Sequence, residues 1–278
     1  EVLVWTDSAL YNISFVGPPL TFAVNLLNQG VGLISPNGCI NSPSGVFWMS
    51  DDGFYVYNGS VKRLPCSVLG YVLDNLNIGQ KFKVFGLLNK EFNEVWWFYP
   101  STQDNTGEIS RYVIYNYLEG SWSIGQLVRT SWLDQDVFDR PVATLSNTLF
   151  NQESGQDNDG SPMDDVFVES SDFDLQDGND FVFVRRVIPD IKFAGTNTDS
   201  GIPQINMVLK TRNEPAETLV TRFNKDVSNN TDQLHVRARG RQAVLRLQSD
   251  DDADTSNRLG VQWRLGYTRM DIQPDGKR

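Results

Sequence analysis

Residues 46–59 read VFWMSDDGFYVYNG, and this stretch decides the fold. Branched and aromatic residues run from Val46 to Ser50 and from Phe54 to Tyr57 on either side of the turn Asp51-Asp52-Gly53. Such runs suit strands with packed faces, and a turn that short suits a hairpin. Asn58-Gly59 then offers a second turn. The pattern occurs twice more. Leu3-Val4-Trp5-Thr6-Asp7 leads to Leu10-Tyr11-Asn12-Ile13, and Glu94–Tyr99 leads through Pro100–Gly107 to Tyr112–Tyr117. Trp5, Trp48 and Trp97 anchor the three copies at spacings of 43 and 49 residues. Hairpin repeats of about 40–50 residues mark β-propeller blades, and a generic β-sandwich is the alternative. Trp96 and Trp97 must point to opposite faces of their strand, which makes one of them a candidate for an inter-blade or intersubunit contact.

Working outward, helical periodicity is nearly absent; Val68–Leu76 fits a short helix or an outer strand. The expected fold class is all-β, with propeller-like blades of antiparallel strands over 1–150. An acidic loop or insertion follows over 151–180. A C-terminal β-rich region over 181–278 then forms a β-sandwich or a closing blade, with strand-like runs at Phe181–Val187, Gln204–Lys210, Thr218–Phe223, Leu234–Leu247 and Val261–Ile272. The chain opens without Met, directly in the run Val2–Trp5. It therefore reads as an excerpt of a longer polypeptide, with proteolytic maturation as the alternative.

The net charge of −11 hides an asymmetry. Residues 1–180 hold 8 Lys and Arg against 23 Asp and Glu, whereas 181–278 hold 16 against 12. Between Asp134 and Asp180, 13 carboxylates face only Arg140. A free nucleic-acid binder would carry a basic face, and the first two thirds of this chain carry the reverse. No apolar run reaches the length needed to cross a bilayer, so no membrane is expected.

Few residues invite chemistry. Cys39 and Cys66 are too few for zinc, and His235 stands far from both; the sequence leaves open whether the two thiols pair, with buried free cysteines the favoured reading, and no cofactor or metal is expected. Asp157-Asn158-Asp159-Gly160 resembles a calcium loop, but Gly160 falls at position 4 and the apolar Val168 at position 12. Asp250-Asp251-Asp252 and Asp254 read as a hairpin tip kept soluble by charge. Among 35 acidic residues some pair will meet glycosidase spacing by chance, yet none sits in a catalytic motif. The sequence is read as that of a non-enzyme. Sequons at Asn12, Asn58 and Asn229 occur at chance frequency.

The C-terminal tract combines Arg239-Gly240-Arg241-Gln242, Trp263-Arg264-Leu265-Gly266, Arg269-Met270-Asp271 and Pro274-Asp275-Gly276-Lys277-Arg278. It resembles the signature of the tail nozzle proteins of short-tailed phages, also called packaged-DNA stabilisation or head-completion proteins. Gly32-Leu33-Ile34-Ser35-Pro36, followed by Val46–Gly59, is similar to the blade hairpin of the same proteins. Together these blocks cover about a third of the chain. The resemblance implies a virion-tail protein assembled in the host cytoplasm as a ring of six around a central pore. Such a ring extends the portal channel, meets portal, adaptor and tail-fibre proteins, and conducts DNA without binding it specifically.

On that reading an acidic wall repels phosphate, and Asp157, Asp159, Asp164, Asp165, Asp172 and Asp174 are expected to face the channel. Arg237, Arg239, Arg241, Arg246, Arg264 and Arg269 stand in strand positions within an acidic protein. Arg239, Arg241 and Arg264 are expected to pair with carboxylates across a subunit interface, in preference to contacting phosphate. The rival readings are a tail-associated glycan-binding or glycan-cleaving β-propeller and a cellular propeller scaffold.

Overall fold

The computed structural model describes residues 1–134, 138–155, 157–158, 161–163, 166–175, 178–193, 202–249 and 261–277. The chain is all-β, and its strands lie in antiparallel sheets with no closed barrel. It divides into two compact units, Glu1–Ser154 and Gly155–Arg278.

Four meanders build the first unit. Strands β1 (Val2–Trp5), β2 (Ala9–Gly17) and β3 (Thr21–Gln29) form the first sheet. The second holds β4 (Cys39–Ser42), β5 (Gly45–Ser50), β6 (Gly53–Tyr57) and β7 (Val61–Leu64). A short helix α1 (Leu69–Asn75) and a 3-10 turn (Ile78–Lys83) lead to the third sheet: β8 (Phe85–Asn89), β9 (Glu94–Pro100), β10 (Ile109–Asn116) and β11 (Ser121–Gln126). Strands β12 (Ser131–Leu133), β13 (Val142–Leu145) and β14 (Thr148–Asn151) complete the series. Gly59 and Gly120 take φ of 96° and 70° at the expected turns, a region open to glycine.

Alternation along each strand gives every blade two faces, and aromatic seams join neighbours. Phe47, Phe54 and Val56 of the second sheet meet Val95, Trp97 and Tyr99 of the third in one core. Trp96 and Phe98, on the other face of β9, meet Trp132 of the fourth. Trp5 and Leu10 meet Trp48 and Tyr55 between the first and second. The first strands of the second and third blades lie side by side. Asn37, just before β4, forms a parallel bridge with Phe85 of β8, and the Gly86 amide donates to the Asn37 carbonyl at 2.7 Å. Sheets that converge on their first strands are arranged as propeller blades are.

The three tryptophans are not fully equivalent. Trp48 and Trp97 occupy β5 and β9, face the preceding blade, and donate their indole N–H to the carbonyls of Val31 (3.1 Å) and Gly38 (2.9 Å). Trp5 occupies β1, the first strand of its sheet where β5 and β9 are second in theirs, and it faces the following blade, as Trp96 does. One residue of offset exchanges the faces of a strand, and the spacing between copies, which runs through turns and loops, does not fix that offset.

The second unit contains β15 (Asp157–Asn158), β16 (Ser161–Pro162), β17 (Val166–Glu169), β18 (Val182–Ile188), β19 (Ile191–Phe193), β20 (Gln204–Arg212) and β21 (Val220–Ser228). It continues with β22 (Leu234–Gly240), β23 (Gln242–Ser249), β24 (Trp263–Leu265) and β25 (Arg269–Pro274). One sheet runs β17-β23-β20-β21 and another β22-β18-β25. Val182, Val184, Val236 and Ala238 of the second pack on Ile205, Met207, Leu245 and Leu247 of the first. This region is therefore a sandwich and not a closing blade.

Two expectations change here. The run Leu234–Leu247 is not one strand: it breaks at Gly240-Arg241 and passes from one sheet to the other. A Cβ on Gly240 would lie 2.5 Å from Thr211 Cβ, so glycine permits this crossing. The segment 151–180 is not all loop, because β17 pairs along β23 from Val166↔Ser249 to Glu169↔Arg246.

Candidate functional site

The sequence Val182-Phe183-Val184-Arg185-Arg186-Val187 places its inward valines two and then three residues apart. A regular strand repeats every two, so one residue must bulge out. The register of β18 slips between Val184 and Arg186 against both β22 and β25. Arg185 is exposed at the slip, and Arg237 opposite it sits between buried Val236 and Ala238 with φ of 57°. Both arginines project from the outer face of the three-stranded sheet, as do Arg239 and Arg269.

The partners of these cations differ. Arg239 pairs with Asp275 and lies 3.8 Å above the Phe181 ring, while Arg241 stands 5.2 Å from the same ring and donates to the Lys277 carbonyl at 3.4 Å. Arg186 donates to the Gln233 side chain at 3.2 Å. Arg185, Arg237 and Arg269 have no ion-pair partner among the described residues. Arg264 is likewise exposed and unpaired there, and it lies directly across from Lys192 in the ribbon β19–β24. Like charges opposite one another cost stability. The unit thus holds several cations that contribute little to its own folding.

Of the three arginines expected at a subunit interface, Arg239 has its carboxylate within its own chain and Arg241 contacts its own chain's ring and carbonyl. Among the described residues neither Arg241 nor Arg264 has an ion pair, and Arg264 lacks such contacts within its chain as well. The acidic residues also divide. Asp172 pairs with Arg212, and Asp174 is exposed. Asp157 lies on β15; Asp159, Asp164 and Asp165 lie outside the described residues, as do Gly160, Asp250–Asp252 and Asp254. Glu169, in the same tract, meets Lys210 at 3.0 Å and Arg246 at 3.6 Å. Part of the acid is therefore neutralised locally.

Elsewhere the chemistry is spare. Cys39 and Cys66 are free and half-buried, and burial raises both thiols above their ordinary pKa, which lowers thiolate reactivity. Among the described residues no group of three or more His, Cys, Asp or Glu could hold a metal, and no helix is long and apolar enough to cross a membrane. His235 is an exposed residue of β22. A cleft of about 860 Å³ opens beside β8 and β12, lined by Phe82, Phe85, Trp132 and Leu145, with Lys83 paired to Glu108 at 2.8 Å.

The sequence reading missed Arg185 and Lys192. The Arg185-Arg186 doublet that interrupts a period-two valine pattern was the available signal. No family model and no curated protein matches the chain.

Proposed function

We propose that the chain is a structural subunit of a virion tail. It is a nozzle protein that assembles as a ring, extends the portal channel, retains packaged DNA and conducts it during ejection. The observation that carries this reading is the set of exposed arginines, Arg185, Arg237 and Arg269, that have no ion partner among the described residues and stand on one sheet face in a chain of net charge −11. Guanidinium groups fixed on a sheet suit bidentate pairing with carboxylates of a neighbouring copy, and the acidic remainder of the chain supplies those carboxylates. The rest of the acid, including exposed Asp174, repels phosphate and gives DNA a wall to which it does not adhere. The resemblance of the C-terminal tract and the blade hairpin to nozzle proteins supports the same assignment.

Negative-stain imaging of the purified protein tests it. A six-fold ring with a central pore is expected. The variant Arg237→Glu/Arg269→Glu should form no rings and keep an unchanged far-UV circular dichroism spectrum. A wild-type protein that stays monomeric, or a variant whose rings form normally, overturns the reading. Saturable oligosaccharide binding by such a monomer would favour the glycan-binding alternative.

A further inference from the structure

None of the strands β1, β2 and β3 contains a charged residue. One face of their sheet packs on the second blade through Trp5 and Leu10. The other is open. Val2, Ile13 and Val24 form a row across all three strands, Phe15 lies opposite Phe22 with ring centroids 5.8 Å apart, and Leu26 flanks them. Phe15 is 71% exposed and Val24 65%. Antiparallel sheets with one packed face alternate apolar and polar residues, the apolar set facing the packing partner. Along β2 and β3 Tyr11, Ile13, Phe15, Phe22, Val24 and Leu26 alternate with Asn12, Ser14, Ala23 and Asn25, so the apolar side of the alternation is the open one.

Val2, Val4, Phe15, Phe22, Val24 and Leu26 are each between 38% and 71% exposed, and six large apolar side chains open side by side form the kind of contiguous patch that marks an interface. The outward face of the fourth blade does not match it. There Leu133, Val142 and Leu149 share the face with Ser131, Thr144 and Asn151, so a head-to-tail continuation of the blade stack would set half its positions, polar ones, against hydrocarbon. A second copy of the same face has no charge to bury and equal area to offer. We propose that two copies of the chain pack the first sheet against itself about a two-fold axis, as an isologous sheet-on-sheet contact. This contact is distinct from the heterologous contacts that close a ring and does not rest on the nozzle assignment.

Sedimentation equilibrium on the 278-residue chain is the test. The wild type should show at least twice the 31.4 kDa chain mass. Val24→Asp, in the middle of the face, should halve that mass, while Thr144→Asp on the fourth blade should leave it unchanged. Should Val24→Asp fail to fold, hydrogen exchange of the wild type supplies the readout: amides of residues 9–29 must slow as protein concentration rises. A wild type at 31.4 kDa overturns the proposal, and so does an oligomer that survives a folded Val24→Asp, since its contacts then lie elsewhere or the face has another occupant. A wild type that forms such pairs but no rings would sink the nozzle reading and leave this one standing.

Discussion

Gly86 holds the point where the second and third blades converge, and replacing it tests that convergence. A Cβ built there would stand 2.4 Å from Cδ1 and 2.6 Å from Cγ1 of Ile40, and 3.4 Å from Trp97 Cδ1. Ile40 is 5% exposed and packed among Phe47, Val84 and Trp97, so it has nowhere to swing without displacing other core side chains. Overpacking of this kind costs about 1–3 kcal/mol, which is the expected loss for Gly86→Ala. Ile40→Ala alone should cost about 2–5 kcal/mol through the cavity it leaves. Together the two changes compensate, because the new methyl enters space vacated by the removed atoms. The double variant should therefore be more stable than the sum of the singles by roughly 1–2 kcal/mol, within the range for residues in contact. Urea unfolding followed by tryptophan fluorescence reports on the right unit, since six of the seven tryptophans lie in residues 1–154. Additivity to within about 0.5 kcal/mol would refute the reasoning, for it would mean that the two residues do not meet.

Trp97→Phe should cost about 1–3 kcal/mol by taking the indole donor from the buried Gly38 carbonyl; the urea midpoint reads it. Burial raises the carboxyl groups of Glu94 and Glu153 above the ordinary value of 4.5. For a raised pKa, the stability contributed is complete below the unfolded value and is lost as pH rises through the folded one. Glu94→Gln/Glu153→Gln should thus stabilise the first unit at neutral pH and flatten its pH dependence on the acid side, as measured by thermal melts across that range. Asp104 has the opposite sign: its hydrogen bond with Arg111, of which 6% is exposed, holds its carboxyl below the ordinary range. Its contribution is present above the unfolded pKa and disappears as pH falls through the folded one. Asp104→Asn should accordingly cost about 1–3 kcal/mol near neutrality, with the deficit vanishing in acid.

The all-β class and the hairpins at Asp51-Asp52 and Glu119-Gly120 were legible in the sequence because alternation and turn residues are local signals. Alternation says that neighbouring side chains face opposite ways; it does not say which sheet lies on either side. That limit explains why Leu234–Leu247 reads as one strand although its halves belong to two sheets, and why Trp5 could not be oriented from its spacing to Trp48. The acidic tract 151–180 reads as loop by composition, yet Val166–Glu169 finds a place beside β23 because Glu169 meets Lys210 and Arg246 there. Arginines on strand faces were visible as such. Their pairing was not, since Arg239 reaches Asp275 from 36 residues away.

The amide-to-carbonyl bond between Gly86 and Asn37 has a geometric consequence. Neighbouring first strands that share a hydrogen bond leave no gap between them, and a duplex whose major groove alone is about 12 Å wide has no way through. On the nozzle reading, DNA does not pass between the second and third blades of a chain. The bore is then bounded by the flanks of several chains, and its calibre follows from how many copies stand around it and how far each leans. Enlarging it would require altering the contacts between chains; trimming side chains along β4 or β8 would leave its width unchanged.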